Sequence, residues 1–327
     1  LNVPNLRFPE FSGEWKAVHL STIADIIGGG TPDTSVDEYW GGNIQWFTPS
    51  EIGKGKYAYL SDRTITEAGL KNSSAKLLPQ GTVLLSTRAT IGECSIATTE
   101  CTTNQGFQSL VAKENNVSSE FLYYIVAKIK REMLRRSCGS TFLEISANEL
   151  KKIHTNIPSK AEQEKLVSLL SLIDQRIETQ KKIIEDLKKL KDAITHFHFR
   201  NELTHSPMTH IGQYITQVSR RNKDTKIDRV LSVSNKYGFV DQDEQFEDRV
   251  VASIDTSNYK VVQKGDFAYN PARINVGSVA ILQEFENGIV SPMYVCFTTN
   301  KGLLPAYFEL YLSTNIFKHE MYKRLEG

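Results

Sequence analysis

The stretch from Pro158 to Arg200 constrains the fold of this chain more than any other part of its sequence. Apolar residues recur there in alternating steps of four and three positions, and no glycine or further proline interrupts them. This is the heptad spacing of a helix that packs lengthwise against another helix. The positions of the seam are Leu166, Leu170, Ile173, Ile177, Gln180, Ile184, Leu187, Lys191 and Ile194.

The length of this stretch favours a spacer over a core helix. About 40 residues at ~1.5 Å each would make a helix of roughly 60 Å, which is long for an ordinary domain core. An amphipathic helix packed on a globular core is the alternative. Ser159 and Glu162 predict a capping box at the start, and Gln180 and Lys191 are expected to fix the register of the seam rather than to stabilise it. The sequence therefore predicts a coiled-coil spacer over residues 159–200.

Composition limits the class of protein. A length of 327 residues favours two domains. The chain holds 39 Lys and Arg against 38 Asp and Glu, a net charge of +1, whereas a small autonomous DNA-binding module is usually more basic. Any DNA-binding surface must therefore be a local basic patch, or a partner must supply part of the positive charge. The four cysteines form no C-x-x-C pair and predict neither zinc nor disulfides, and the absence of an apolar run near ~20 residues also favours the cytoplasm.

The residues before the spacer, 1–158, predict a mixed α/β domain of short strands separated by polar loops. Residues 1–15 are expected to form an extended arm that packs on this domain. Residues 119–136 have helical periodicity, with an apolar face and a basic face. The apolar face is Phe121, Leu122, Ile125, Val126, Ile129 and Met133, and the basic face is Lys128, Lys130, Arg131, Arg135 and Arg136.

After a linker at residues 201–209 the pattern of the first domain starts again, which predicts a repeated domain at residues 210–327. The separation that leads from Gly81 to the spacer would place a second long helix beyond Gly327. The second domain is therefore expected to be truncated, and the second spacer helix to be missing. The matching segments are residues 19–21 and 210–212, 81–86 and 265–270, 91–92 and 276–277, 103–107 and 291–297, and 119–136 and 306–324.

The sequence lacks the common catalytic and cofactor motifs. It contains no P-loop and no glycine-rich dinucleotide loop, and its seven histidines show no catalytic or metal-ligand spacing. The Tyr-Asn-Pro run before Ala272 and Arg273 partly resembles the amino-methyltransferase motif, whose last two positions are proline and an aromatic residue. Asp241, Asp243 and Glu244 are expected to be a solvated run of charges. The sequence thus predicts no catalytic, metal or cofactor site.

Polar side chains on the predicted loops remain as candidates for function. Asn and Gln side chains can bond to adenine, Arg to guanine and Thr to the thymine methyl group, whereas Lys and Arg on helices suit phosphates. Ordinary turn chemistry accounts for any one of these residues equally well. The candidate DNA-binding residues are Thr31, Thr48, Ser50, Thr87, Arg88, Asn104, Gln105, Arg131, Ser140, Thr141, Arg220, Arg221, Asn235, Lys236, Asn270, Arg273 and Asn275.

An ordered set of short motifs covers nearly the whole chain. In the first half they are residues 29–32 with 39–42, 86–89 with 91–92, 103–107, 139–142 with 145–146, and 157–158 with 162–163 and 172–174. Residues 265–273 and 290–292 continue the set in the second half. Through these motifs the chain resembles the specificity subunits of type I restriction-modification systems.

The resemblance implies an α+β fold in which a long coiled-coil helix separates two repeated target-recognition domains, each reading half of a split DNA site. Two such helices would pair as an antiparallel coil that sets the spacing of the half-sites and docks two methyltransferase subunits. The chain itself would be non-catalytic: S-adenosylmethionine belongs to the methyltransferase subunits, and ATP with magnesium to a restriction and translocase subunit. Without a second helix, self-association is expected through Leu166, Leu170, Ile173, Ile177, Ile184, Leu187 and Ile194.

Proteins of two other classes are the alternatives. A DNA methyltransferase or nuclease with its own recognition domain would need the cofactor loop and catalytic motif that the sequence does not show. A coiled-coil adaptor would bind only protein. Specific binding to one bipartite DNA duplex would therefore separate a recognition subunit from an adaptor.

Overall fold

The chain divides into two compact units, Leu1–Glu178 and Thr179–Gly327. The computed structural model describes residues 3–4, 6–139, 143–206, 209–242 and 255–324. Over these residues, no helix has both the length and the apolar character that a membrane crossing requires.

Two sheets form the centre of unit 1. Its strands are β1 Lys16–His19, β2 Ala24–Gly28, β3 Trp40–Phe47, β4 Tyr57–Ala58, β5 Arg63–Ile65, β6 Val83–Leu85, β7 Cys94–Ala97, β8 Cys101–Thr103, β9 Gln108–Ala112 and β10 His154–Ile157. The larger sheet has the order β2-β9-β6-β7-β4 and the smaller one the order β5-β3-β8, while β1 pairs with β10. Strands β6 and β7 are buried along their whole length, as expected for short apolar strands inside a core.

One long helix covers the larger sheet of unit 1. The helices of this unit are α1 Leu20–Ile23, α2 Glu67–Lys71, α3 Ser119–Arg136 and α4 Ala147–Lys151. Helix α3 has the predicted bounds, and the Ser118 hydroxyl caps it by accepting a hydrogen bond from Phe121 N. All six side chains of its predicted apolar face are buried in the main core cluster. The 3.6-residue period of this segment therefore identified its inner face correctly.

The predicted spacer is a single helix, α5, which runs for 46 residues from Lys160 to His205. It ends five residues later than predicted, so residues 201–205 of the expected linker are helical. Near its start, Leu166 and Val167 pack against the core of unit 1. Further along, the side chains of the seam are about half exposed, for example 47% for Ile177 and 59% for Leu187. Much of the heptad seam is thus uncovered.

Unit 2 also combines short strands with helices. Its strands are β11 Ile215–Val218, β12 Leu231–Ser234, β13 Gly238–Asp241, β14 Lys260–Gln263, β15 Phe267–Tyr269, β16 Val279–Ile281, β17 Asn287–Val290 and β18 Val295–Thr299, and its other helices are α6 Pro305–Ser313 and α7 Asn315–Tyr322. Near the end of α5, Phe199 is buried against the rings of Tyr307 and Tyr311. Aromatic packing thus anchors this end of α5 within unit 2.

The two units share one sheet topology. The order β11-β18-β15-β16 in unit 2 repeats the order β2-β9-β6-β7 in unit 1, and every neighbouring pair is antiparallel in both. Turns at matching places use glycine at positive φ, 85° at Gly81 and 91° at Gly265, where a side chain would be strained. The counterpart of α3 differs from the prediction, because it breaks into α6 and α7 at Thr314, whose hydroxyl caps α7. These observations support the predicted repeat.

The start of α5 differs from the predicted capping box. The Ser159 hydroxyl accepts a hydrogen bond from Glu162 N at 3.4 Å, but the carboxylate of Glu162 does not complete the box. It accepts hydrogen bonds from Arg7 Nε and Nη2 at 2.8 and 2.7 Å and from Trp15 Nε1 at 3.2 Å. Glu162 is 1% exposed, so these contacts fix the N-terminal arm to the first turn of α5.

We expect Glu162→Gln to lower the free energy of unfolding by about 2 kcal/mol, because a buried carboxylate that binds Arg7 and Trp15 is lost. Hydrogen bonding from Arg7 holds the pKa of Glu162 below its ordinary value of 4.5. The stabilisation is therefore complete above about pH 4.5 and disappears as the pH falls through the lower pKa of the folded chain. Urea unfolding between pH 7 and pH 3 measures this, with the exposed Glu164→Gln as control. Equal losses in both variants would contradict the prediction.

Candidate nucleic-acid interface

Four polar loops of unit 1 lie side by side. Main-chain hydrogen bonds join them: Gly30 N donates to Thr103 O at 2.8 Å, Asn104 N to Phe47 O at 3.0 Å, and Thr87 N to Gly106 O at 2.9 Å. Seven predicted DNA-binding residues, although distant in sequence, therefore belong to one continuous region. We call residues 29–32, 48–51, 86–92 and 104–106 the polar loop surface. The predicted residues in it are Thr31, Thr48, Ser50, Thr87, Arg88, Asn104 and Gln105.

Glycines allow two of these loops to touch. A Cβ atom on Gly29 would overlap the main-chain oxygens of Thr103 and Asn104, and one on Gly30 would overlap Ser74. Only glycine leaves room for such an approach of one backbone to another. The indole Nε1 of Trp46 donates to Gly30 O at 2.9 Å. The glycines thus set the position of the loop that carries Thr31.

Side-chain hydrogen bonds then order the polar loop surface. The Thr31 hydroxyl donates to Gln105 Oε1, and Asn104 Oδ1 accepts from Gly106 N at 2.9 Å. Gln105 is exposed, whereas Thr87 is only 1% exposed and donates its hydroxyl to Gly106 O at 3.2 Å. Burial and the bond to Gly106 give Thr87 a structural role in joining two loops, and its contact with DNA stays a prediction.

The hydroxyls of Thr48 and Ser50 lie next to each other just after the end of β3. Thr48 donates both its main-chain N–H and its hydroxyl to Glu51 Oε2, at 2.6 and 2.5 Å. Its hydroxyl also lies 3.0 Å from the hydroxyl of Ser50, which is exposed. Glu51 further accepts from Asp62 N at 2.6 Å. Glu51 therefore positions Thr48, and Ser50 is the more accessible of the two predicted hydroxyls.

Arg88 stands at the tip of the loop between β6 and β7. The next residue, Ala89, has a φ of +63°, a left-handed conformation that is uncommon without glycine. Two guanidinium nitrogens of Arg88, Nε and Nη2, donate to Glu144 Oε2 at 3.1 and 2.7 Å. Sequence reasoning missed Glu144, since the two residues are 56 positions apart and neither periodicity nor motif links them.

The predicted basic face of α3 is largely neutralised within unit 1. Lys130 forms an ion pair with Glu93 at 2.6 Å. Arg136 binds Glu132 at 2.6 Å and Glu149 at 3.2 Å; Glu132 also pairs with Arg135. Exposed ion pairs of this kind contribute little to stability, but they lower the charge available to a phosphate.

Arg131 and Lys128 are the members of the basic face outside these ion pairs, and the Lys128 ammonium lies 5.3 Å from the centre of the Trp15 ring. The side chain of Arg131 is exposed, and within the parts of the chain that are described it takes part in no ion pair. An exposed guanidinium without an acidic partner keeps its full charge for a phosphate oxygen. Arg131 is therefore the member of the basic face best suited to a DNA backbone.

Two predicted arginines of unit 2 bind within that unit. Arg220 forms an ion pair with the buried Asp266, and its Nη1 donates to Gln263 Oε1 at 2.8 Å. Burial raises the pKa of Asp266, while hydrogen bonding from Gln263 N and the charge of Arg220 oppose the rise. Arg221 Nη1 donates to Asn258 Oδ1 at 3.0 Å. Both arginines therefore have structural partners in this state of the chain.

The position of Asn270 before a proline is explained by helix capping. Its Oδ1 accepts a hydrogen bond from Ala272 N at 3.0 Å and so caps the 3-10 segment Pro271–Val276, a usual arrangement of asparagine followed by proline. Arg273 and Asn275 are exposed on that segment. The partial resemblance to a methyltransferase motif is thus explained by helix capping.

The remaining predicted residues lie at a turn or outside the described parts. Asn235 and Lys236 are exposed between β12 and β13, and the Lys236 ammonium lies 4.8 Å from the centre of the Tyr237 ring. Ser140, Thr141, Asp243 and Glu244 lie outside the described residues. Within the described residues, no group of three or more His, Cys, Asp or Glu side chains could hold a metal ion.

Comparisons with known proteins identify the family. The family model described as "Type I restriction modification DNA specificity domain" matches residues 12–189. The MjaIX specificity subunit of Methanocaldococcus jannaschii is 41% identical over 181 residues, which cover 54% of this chain and 42% of that protein. The EcoR124I/EcoR124II specificity subunit of Escherichia coli is 27% identical over 176 residues, covering 52% and 43%. The matched region thus spans less than half of either relative.

A solved structure extends the likeness to nearly the whole chain. The crystal structure of a type I restriction-modification S subunit from M. genitalium superposes with a TM-score of 0.55 at 16% identity. It covers 98% of this chain and 81% of that one. At this identity the comparison shows the fold alone. Together these findings confirm the predicted resemblance and the α+β architecture around a long helix.

We expect Gly29→Ala to destabilise unit 1 by about 1–3 kcal/mol, because its Cβ would push against main-chain atoms that cannot rotate away. The same change should disturb the loop that carries Thr31. Gly55→Ala is the matched control, since a Cβ there meets open space and alanine restricts the unfolded chain. Urea unfolding of both variants measures the difference. A Gly29→Ala protein as stable as Gly55→Ala would contradict the close contact.

Proposed function

Because this chain belongs to the family of type I restriction modification DNA specificity domains, we propose that it selects the DNA target of a type I restriction-modification complex. Each unit would contact one half of a bipartite site. The observation that carries the proposal is the recurrence of one sheet topology in both units, with exposed polar residues on the loops at the strand ends. Such loops suit the base edges of a groove.

The partners of the chain are part of the proposal. Two methyltransferase subunits and a restriction and translocase subunit would supply S-adenosylmethionine, ATP and magnesium, so this chain itself would be non-catalytic. The names of its relatives as restriction enzyme specificity subunits and the half-exposed seam of α5 support such an assembly. The four cysteines are free thiols, which supports a reducing, cytoplasmic compartment.

The length of α5 supports a role in spacing. A helix with a heptad seam stays in phase with a partner helix only when its length changes by whole heptads. We therefore propose that α5, with its partner, sets the separation of the two half-sites. A methyltransferase or nuclease is the weaker candidate, because the one catalytic resemblance is a helix cap. A chain that binds no DNA duplex but binds protein partners would favour the adaptor instead.

Base contacts and phosphate contacts should respond differently to mutation. We expect Arg88→Ala to weaken binding to the preferred half-site by about 1–3 kcal/mol and to relax the choice of one base. Arg131→Ala should weaken binding to all sequences alike and reduce the slope of log K against log salt by about one. Duplexes selected by the wild-type chain from a randomised library, titrated at several salt concentrations, provide the measurement.

The two arginine variants are controls for each other. Each removes one exposed positive charge from unit 1, so a general charge effect would change both in the same way. An unchanged base preference in Arg88→Ala would remove Arg88 from the proposed readout. A wild-type chain that enriches no sequence from the library would contradict the proposed function itself.

The seam of α5 predicts self-association of the isolated chain. Ile173 is 45% exposed in the seam, and a charge there would oppose packing against a second helix. We expect sedimentation to show association for the wild type and none for Ile173→Asp. Ser168→Asp adds the same charge at an exposed position outside the seam and should associate like the wild type. A monomeric wild type would contradict this interface.

A further inference from the structure

We propose that Glu144 is a positioning residue that makes Arg88 selective for a base rather than for the DNA backbone. This inference rests on the proposed function, since it assigns a role within the polar loop surface. It concerns an acidic residue at a surface expected to approach a polyanion. An acid there opposes DNA binding in general, so its presence beside Arg88 calls for a specific physical reason.

Main-chain pairing fixes the position of Glu144. It forms an antiparallel bridge with Arg88 on one side and with Cys138 on the other. Glu144 N donates to Cys138 O at 3.0 Å, and Cys138 N donates to Glu144 O at 2.9 Å. The next residue, Ile145, donates its N–H to Thr87 O at 3.1 Å. The carboxylate is therefore carried by a short ribbon attached to the same loop as Arg88.

The tip of the Arg88 loop is also constrained. The Ser86 hydroxyl donates to Arg88 O at 3.1 Å, and it lies 2.9 Å from the hydroxyl of Thr90. Ala89 holds the left-handed turn that follows. A residue in this conformation costs free energy, and such residues concentrate at functional sites. The backbone on both sides of the ion pair is thus held before any ligand binds.

The geometry of the ion pair leaves one edge of the guanidinium available. Glu144 Oε2 accepts from Nε and Nη2, which uses two of the five N–H groups of arginine. The hydrogens of Nη1 and the second hydrogen of Nη2 remain, and they point from the end of the side chain. That end is the fork that binds O6 and N7 of guanine. Glu144 therefore orients Arg88 for bidentate contact with a base.

The charge of Glu144 supplies the selectivity. A phosphate approaching Arg88 also approaches a carboxylate whose oxygen is 2.7 Å from the guanidinium, so the pair as a whole offers it no net charge. Guanine is neutral and meets only the directed N–H groups. Arg131, which has no acidic partner among the described residues, offers a phosphate its full charge. The two arginines are thus prepared for different parts of DNA.

The test uses the full chain with two probes, a randomised duplex library and one mixed-sequence duplex of fixed length. We expect Glu144→Gln to bind the mixed-sequence duplex more tightly, with a salt slope steeper by about 0.9. Preference at one base position, the position that Arg88→Ala also affects, should fall on the order of tenfold. Glu144→Asp keeps the charge, and its affinity for the mixed-sequence duplex should stay low.

A matched control separates a local role from a change in net charge. Glu286→Gln in unit 2 removes an exposed carboxylate that pairs with Lys264 at 2.7 Å, and it should leave base preference unchanged. Unaltered preference in Glu144→Gln would overturn the inference and leave the proposed function standing. Equal losses of base preference in Glu144→Gln and Glu286→Gln would also overturn the inference and leave the proposed function standing. A wild-type chain without any base preference would overturn the proposed function and this inference together.

Discussion

Antiparallel pairing of four strands positions several of the loops that carry candidate side chains in each unit. In unit 1 the order β2-β9-β6-β7 brings loops 29–32, 86–92 and 104–106 to neighbouring positions, and the parallel pairing of β3 with β8 adds loop 48–51. Neighbouring loops must also fit closely against each other. Gly29 allows this because it has no Cβ atom to overlap the adjacent backbone. The same order recurs in unit 2, so the fold supplies two similar frameworks on which different loop residues stand. Loops on a rigid sheet are a common way to vary recognition without altering a core.

Several of the cationic side chains considered as DNA contacts are paired with nearby acids. Lys130 pairs with Glu93, Arg88 with Glu144, and Arg220 with Asp266. Non-specific affinity for DNA rises with the number of phosphates that free cations neutralise. On the proposed function, such paired cations would gain little from the backbone of DNA, so directed contacts to bases would weigh more in the choice of sequence. Partner subunits would then contribute much of the affinity.

Local sequence patterns predicted local structure, but they did not predict contacts between residues that are distant in sequence. The period of 3.6 residues located α3 and its buried face, and the heptads located α5, because both signals lie within one segment. The carboxylate of Glu162 was assigned to a capping box, but Arg7, 155 positions away, binds it. Thr87 is a polar residue of the kind common in loops. It is nevertheless buried, because residues of another loop pack beside it. Periodicity carries no information about such partners, and tertiary packing decides them.

The heptad seam of α5 leaves apolar side chains partly exposed along the middle of the helix. The ends of this helix are anchored by apolar contacts, Leu166 in unit 1 and Phe199 in unit 2. Between them Ile177, Ile184 and Leu187 remain about half exposed, and most helices in proteins owe their stability to packing rather than to propensity. Turn after turn, the heptads align these side chains on one stripe although no described residue covers them fully. A half-exposed heptad stripe is the kind of surface that packs against another helix, so the stripe supports the proposed partner.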